Sequence, residues 1–283
     1  MKLRLLACAK INLALDITGV RDDGYHLLST IMQSVGICDE VTVEINNSGF
    51  IKVESSLSEL GGEADITHKA AKLFYDKTLL PNGVSIYVDK KIPCAAGLGG
   101  GSADAAAVLM ALNKLYGYPL SDDELEAIAL ELGADVPFCL YGGTMLAEGI
   151  GEVLTPLNDM PSCYIVIAKN AQKPSTKEMY ARIDNGEAGF VDIDSTLIAI
   201  KNGDYNLLCD SVDNAFARLW SCDDINSVMK ASSADAISLS GSGPSYFALF
   251  ENEEKAKACY DQFVSLGIEA YLTTPTKTSI IFE

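Results

Sequence analysis

The chain has 283 residues, 48% of them hydrophobic and 21% charged, enough to bury a large core and of a length between one big domain and two modest ones. Its formal net charge of −18 excludes non-specific nucleic-acid binding, which needs Lys and Arg to displace counterions, and disfavours an anionic membrane surface. A polyphosphate ligand would have to find positive potential locally, in backbone N–H groups, a few lysines or a metal ion.

Aliphatic and β-branched runs at residues 3–9, 11–17 and 40–45 predict strands. Val84, Ile86 and Val88 alternate with Ser85, Tyr87 and Asp89, the period of a half-buried strand, which runs into Lys90, Lys91, Pro93 and a glycine cluster. Helical spacing of Ala105, Val108, Leu109, Leu112 and Leu115 predicts a helix stopped by Gly117 and Pro119. Ser121 with Glu124 forms a capping box for a second helix ending near Gly133. Beyond Gly151 the pattern predicts a strand at 164–168, helices at 175–183 and 194–220, and strands at 236–240 and 246–250. A helix at 252–266 stopped by Gly267 and strands at 268–272 and 278–282 complete the chain. This mixture is α+β. A seam near residue 150 divides it into lobes 1–150 and 151–283, with the last strand free to pack back on the first lobe.

The eight cysteines form no CxxC pair, and only His26 and His68 could add imidazole ligands. Neither a zinc cluster nor a disulfide framework is expected, and the thiols are expected to be reduced and mostly buried. Apolar stretches break well before the roughly 18–20 residues of a membrane span. Leu5-Leu6-Ala7-Cys8 resembles a lipoprotein box, but too few residues precede it for a secretory leader, so a cytoplasmic protein is expected.

Residues 93–107 read PCAAGLGGGSADAAA, with Gly97, Gly99, Gly100 and Gly101 just ahead of a helix whose expected N-cap is Ser102. Glycines permit positive φ and close backbone approach, and the first helical turn presents unpaired N–H groups, a combination that binds phosphate. No Lys follows the glycines as a Walker A loop requires, and no second strand follows to carry the acidic residue of a dinucleotide fold. The bland alternative, a flexible loop that happens to precede a helix, does not explain the strand before and the helix after.

The PxxxGLGGGSADAA pattern resembles the phosphate-binding motif of the GHMP kinases. Ala9-Lys10-Ile11-Asn12-Leu13 and Gly24-Tyr25-His26 are similar to the branch acting on cytidine-diphosphate-linked methylerythritol. Further agreement lies at Leu132-Gly133-Ala134-Asp135-Val136-Pro137-Phe138, at 147–152 and at 239–245, so the resemblance spans nearly the whole chain. It implies a two-lobed α+β fold, with an N-terminal lobe of the ribosomal-protein type, a ferredoxin-like C-terminal lobe and the site between them.

The resemblance also implies roles. Asp135 would be the catalytic base with Lys10 as its positive partner, and Asn12 nearby. Tyr25 and His26 would hold the cytosine, with Tyr180 on its other face. Thr176 and the Gly241-Ser242-Gly243 turn would contact substrate from the second lobe. Lys90, Asp65 and Asp104 fall at positions associated with the adenosine, and Pro93, Gly97, Leu98, Gly99, Gly100, Gly101 and Ser102 with ATP and its phosphates. Mg²⁺ would travel with ATP, held mainly through phosphate oxygens and water, with Ser102 as a hydroxyl contact and no dedicated metal ligands. The chain departs from the family pattern at Cys8, Asp65, Tyr141 and Ala217, none of them a proposed catalytic group. The implied reaction phosphorylates a tertiary hydroxyl, in a monomer or weak homodimer. The alternatives are another GHMP kinase acting on a small alcohol or amino acid, and a catalytically silent nucleotide sensor.

Overall fold

Strands β1 (Lys2–Val20) and β2 (His26–Ile45) pair antiparallel along almost their whole length. The computed structural model describes residues 1–169, 173–187 and 189–283. β1 is buried continuously from Ala7 to Asp16, because both its faces are covered, so its sequence reads as an apolar run rather than an alternation. The two strands expected at 3–9 and 11–17 are therefore one. Register shifts between Cys8 and Ala9 and between Asn12 and Ala14 bracket the polar residues Lys10 and Asn12, and bulges of this kind re-aim side chains without ending a strand.

The first lobe continues through β3 (Ile51–Ser55), α1 (Ile66–Thr78), β4 (Val84–Asp89), α2 (Gly100–Leu115), α3 (Asp122–Leu132), α4 (Val136–Tyr141), β5 (Thr144–Gly149) and β6 (Val153–Pro156). The Ser121–Glu124 capping box opens α3 and Gly133 closes it, as the sequence predicts. Helix α2 is buried through Ala103, Ala105, Ala106, Ala107 and Ala111, whose small side chains let its backbone lie close to β1.

The second lobe holds β7 (Tyr164–Lys169), α5 (Thr176–Asp184), α6 (Ile193–Asn202), α7 (Tyr205–Ser211), β8 (Asp213–Asn214), α8 (Asp223–Ala231), β9 (Ala236–Leu239), β10 (Ser245–Phe250), α9 (Glu253–Ser265), β11 (Glu269–Thr273) and β12 (Ile280–Phe282). Strands β11-β7-β10-β9 form an antiparallel four-stranded sheet in the βαββαβ order of ferredoxin-like folds. The larger sheet runs β12-β1-β2-β4-β3, with β5 and β6 extending from β2 and β8 beside β1. The sheets divide between β6 and β7, where we place the lobe boundary; β8 and β12 then return to the first sheet.

The single helix expected at 194–220 is instead broken into several pieces. Gly203 in the left-handed conformation ends α6, Asp204 caps α7, and β8 and a 3₁₀ turn at Ala215–Arg218 follow. Asn214 is the reason for the last break. Fully buried, it donates to the carbonyls of Leu239 (2.7 Å) and Gly241 (3.0 Å) and accepts from the N–H of Phe216 (2.9 Å), bonds that a helix interior would not allow.

The expectation of wholly reduced cysteines is also corrected. Cys8 and Cys38 stand opposite one another in the β1–β2 ladder and are joined as a disulfide. Thirty positions apart in sequence, they are made neighbours only by strand register. Cys139, Cys163 and Cys259 are buried, as expected.

Asn214→Ala should lower unfolding free energy by about 2 kcal/mol, because it leaves two carbonyls and one N–H short of partners. Denaturant unfolding with an unchanged m-value would check this.

Candidate active site

The site starts from a chain of hydrogen bonds across β1 and β2. Thr30 donates to the carbonyl of Ala14 (2.7 Å) and accepts from the amide nitrogen of Asn12 (2.9 Å). This fixes the Asn12 amide so that its oxygen receives the Lys10 ammonium at 2.8 Å. Lys10 Nζ also lies 3.4 Å from Asp135 Oδ2, with the lysine side chain only 5% exposed and the aspartate 35%. Asp135 occupies the N-cap position of α4 but makes no capping bond, leaving its carboxylate for Lys10 and for the cleft.

The glycine loop is tied to the same lysine. The N–H of Lys10 donates to the carbonyl of Leu98 (2.9 Å), and the Lys10 stem runs beneath Gly99. A Cβ on Gly99, where φ is +69°, would stand 3.0 Å from Lys10 Cγ. Gly97 faces the second lobe: at φ +78°, a Cβ there would lie 2.2 Å from the carbonyl oxygen of Ser240. Ser240 donates its hydroxyl to the Gly97 carbonyl (2.9 Å), so the 240–243 turn docks on the loop through contacts that only glycine permits. Gly241 lies against Gly97 and Asn12.

Helix α2 begins at Gly100 with Gly99 as its N-cap, in place of the expected Ser102, which instead sits in the first turn. The left-handed Gly99 starts the helix without a capping side chain, so the first N–H groups of α2 keep no intrahelical acceptor. They line a pocket of about 470 Å³ together with Asp65, Lys90, Pro93, Gly97, Leu98, Ser102 and Asp104.

The structure gives three of those residues internal partners. Asp65 caps α1, accepting from the N–H (2.8 Å) and hydroxyl (2.6 Å) of Thr67 and from the N–H of Gly61 (3.1 Å). Lys90 is gripped by Asp39 (2.5 Å) and Asp104 (2.6 Å), all three side chains almost wholly buried. Burial lowers the Lys90 pKa, but the two carboxylates more than offset this and raise it. Burial, aided by the Asp39 charge, pushes the Asp104 carboxyl well above its usual range despite Lys90, and its Oδ1 has no partner among the described residues. Asp39, which no sequence pattern marked, also accepts from the N–H groups of Lys91 and Ile92 (2.8 Å for the latter) and so anchors the segment leading into the glycine loop.

At the far end of the cleft His26 stacks on Tyr180, centroids 4.3 Å apart and planes 29° apart, with His26 Nε2 2.7 Å from Asp184 Oδ1. Phe216 meets the Tyr180 ring edge-on at 5.1 Å. Burial raises the Tyr180 pKa and the charge of Asp135 adds to it, which places the ring within the field of that carboxylate. The two rings touch directly, whereas a base sandwiched between them would need a gap of about 7 Å, two van der Waals contacts. Tyr25 is 61% exposed, with the Arg21 guanidinium 6.0 Å from its ring. Sequence reasoning thus assembled Lys10, Asn12, Asp135, the glycine loop and His26 with Tyr180. It missed Thr30, Asp39 and Asn214, whose roles depend on strand register.

Residues 65–143 match the GHMP kinases N terminal domain and residues 197–269 the GHMP kinases C terminal domain. A 4-diphosphocytidyl-2-C-methyl-D-erythritol kinase of Clostridium beijerinckii is 38% identical over 278 residues, covering 96% of this chain and 99% of that protein. The chain belongs to the 4-diphosphocytidyl-2-C-methyl-D-erythritol kinase family. The family member of Brevibacillus brevis is 39% identical over 272 residues, 92% of each chain. Among solved structures, a 4-(cytidine 5'-diphospho)-2C-methyl-D-erythritol kinase superposes with a TM-score of 0.80 at 32% identity, covering 96% of this chain and 98% of that one. The two domain matches fall one on each of the lobes described above.

Gly97→Ala should raise the dissociation constant for ATP at least about tenfold, since a left-handed alanine costs about 1–2 kcal/mol before the clash with Ser240 is counted; calorimetric titration reads it. For Asp104, a folded-state pKa above the unfolded one means that stability is present at low pH and is lost as pH rises toward the folded value. Asp104→Asn should flatten that decline, so that its melting temperature relative to wild type improves as pH increases from 5 to 8.

Proposed function

We propose that the protein transfers the γ-phosphoryl group of ATP to the 2-hydroxyl of 4-diphosphocytidyl-2-C-methyl-D-erythritol, releasing ADP and the 2-phosphate, a step of the non-mevalonate route to isoprenoid precursors. The observation that carries this reading is Lys10, whose ammonium contacts the base candidate Asp135 and the amide of Asn12 while its stem lies under the glycine loop. Phosphoryl transfer is largely positioning and charge stabilisation, and one lysine here connects the phosphate-binding end to the acceptor end.

Asp135 accepts the proton of the acceptor hydroxyl. Lys10 and Asn12 hold that carboxylate and the reacting oxygen in place, while the N–H groups of Gly100 and Gly101 bind phosphate oxygens. The Gly241-Ser242-Gly243 turn excludes water from the second-lobe side. His26 and Tyr180 part to take the cytosine, His26 reading its polar edge while Tyr180 supplies a flat face.

The residues fit a magnesium ion carried in with the nucleotide. Among the described residues no three His, Cys, Asp or Glu side chains cluster as a metal cage, so phosphate oxygens and water would hold it, with the Ser102 hydroxyl as the protein contact. When bound, the ion neutralises phosphate charge. No helix among the described residues is long and apolar enough to cross a membrane. We assign the protein to the cytoplasm, acting as a monomer or weak homodimer.

A coupled ADP-release assay tests the substrate: the cytidylated methylerythritol should be turned over, and mevalonate and homoserine should not. Turnover of either of the latter instead would overturn the assignment. Asp135→Asn should cut kcat by about 10²–10⁴-fold, the usual worth of a positioned base, with ATP affinity retained.

A further inference from the structure

Four described lysines are not exposed: Lys10, Lys90, Lys169 and Lys173. The first three meet carboxylates, on Asp135, on Asp39 and Asp104, and on Glu269. Lys173 does not. Its ammonium donates to the Thr176 hydroxyl (3.1 Å), the Ser242 hydroxyl (2.8 Å) and the Ser242 carbonyl (3.1 Å), all neutral oxygens, and the two hydroxyls lie 3.0 Å from each other. Burial lowers the Lys173 pKa, and no anion among the described residues offsets it. In a chain of net charge −18, a half-buried cation without a carboxylate partner among the described residues is costly unless an anion arrives to meet it.

The position of this cluster indicates the anion. Ser242 adjoins Gly241, which rests on Gly97 of the phosphate loop and on Asn12. Thr176 opens α5 and Tyr180 follows it by four residues, so the two share a helix face, separated by about 6 Å along the axis. That is about the span of a ribose joining a base to its phosphates. The three polar groups therefore lie between the ring that would receive cytosine and the point where Gly241 meets Asn12 and the phosphate loop.

We infer that Lys173, with the hydroxyls of Thr176 and Ser242, forms an anion subsite for the diphosphate of a cytidine-diphosphate-linked substrate. The inference rests on the proposed substrate. The lysine supplies the only charge in the cluster, and the two hydroxyls, now bonded to it and to each other, turn to donate to phosphoryl oxygens. Strong, directional donors of this kind would favour a diphosphate over an uncharged cytidine.

Calorimetric titration of wild type, Lys173→Met and Lys173→Arg with CDP, cytidine and a non-hydrolysable ATP analogue tests it. The methionine variant should bind CDP at least about tenfold more weakly, the scale of a lost charge-assisted hydrogen bond, and should bind cytidine and the ATP analogue as wild type does. The arginine variant should recover most of the CDP affinity. Added salt should weaken CDP binding more in wild type than in the methionine variant. Equal CDP affinity in all three proteins would overturn the inference, as would an equal loss for cytidine or a loss confined to the ATP analogue. Should wild type bind the ATP analogue but neither CDP nor cytidine, the substrate reading itself would fall, a result distinct from failure of Lys173 alone.

Discussion

A single ammonium group organises this cleft. Lys10 enters from a strand that both lobes bury, hands one hydrogen bond to Asn12, faces Asp135 and lays its methylene stem under Gly99. Each contact constrains a different element: β2 through Asn12 and Thr30, α4 through Asp135, and the glycine loop ahead of α2. Removing water from a charge is expensive, so a lysine this buried persists because its partners sit within reach on several sides. The relative placement of these groups then follows from the fold rather than from flexible side chains.

A second buried charge cluster supports the first without sharing its chemistry. Lys90 between Asp39 and Asp104 fastens β2, the segment after β4 and the first turns of α2 to one another. Its ammonium is committed to these carboxylates, so it shapes the pocket beside the glycine loop without offering a free charge there. Although the chain carries a net charge of −18 and Asp65 and Asp104 line this pocket, the glycine loop presents backbone N–H groups in place of a basic patch.

Much of this was legible in the sequence. The glycine run, the alternating strand before it and the capping box at Ser121 are local signals, and each corresponds to an observed element. The identity of Lys10, Asn12 and Asp135 as a group came from the resemblance, since nothing in their spacing brings residues 125 positions apart together. What stayed hidden depends on tertiary context. Bulges let β1 continue through polar positions, buried Asn214 breaks a helical pattern, and strand register joins Cys8 to Cys38. Ser102 looked like a cap because serine usually caps, whereas a left-handed glycine three residues earlier begins the helix.

On the proposed function, Lys10 and Asp135 work as one unit. A double-mutant cycle on kcat tests it most directly, using Lys10→Met, Asp135→Asn and the combination, with all three confirmed to be folded. The double variant should be scarcely slower than the worse single variant. Multiplying losses, with each substitution slowing the enzyme by its full factor in the presence of the other, would contradict it.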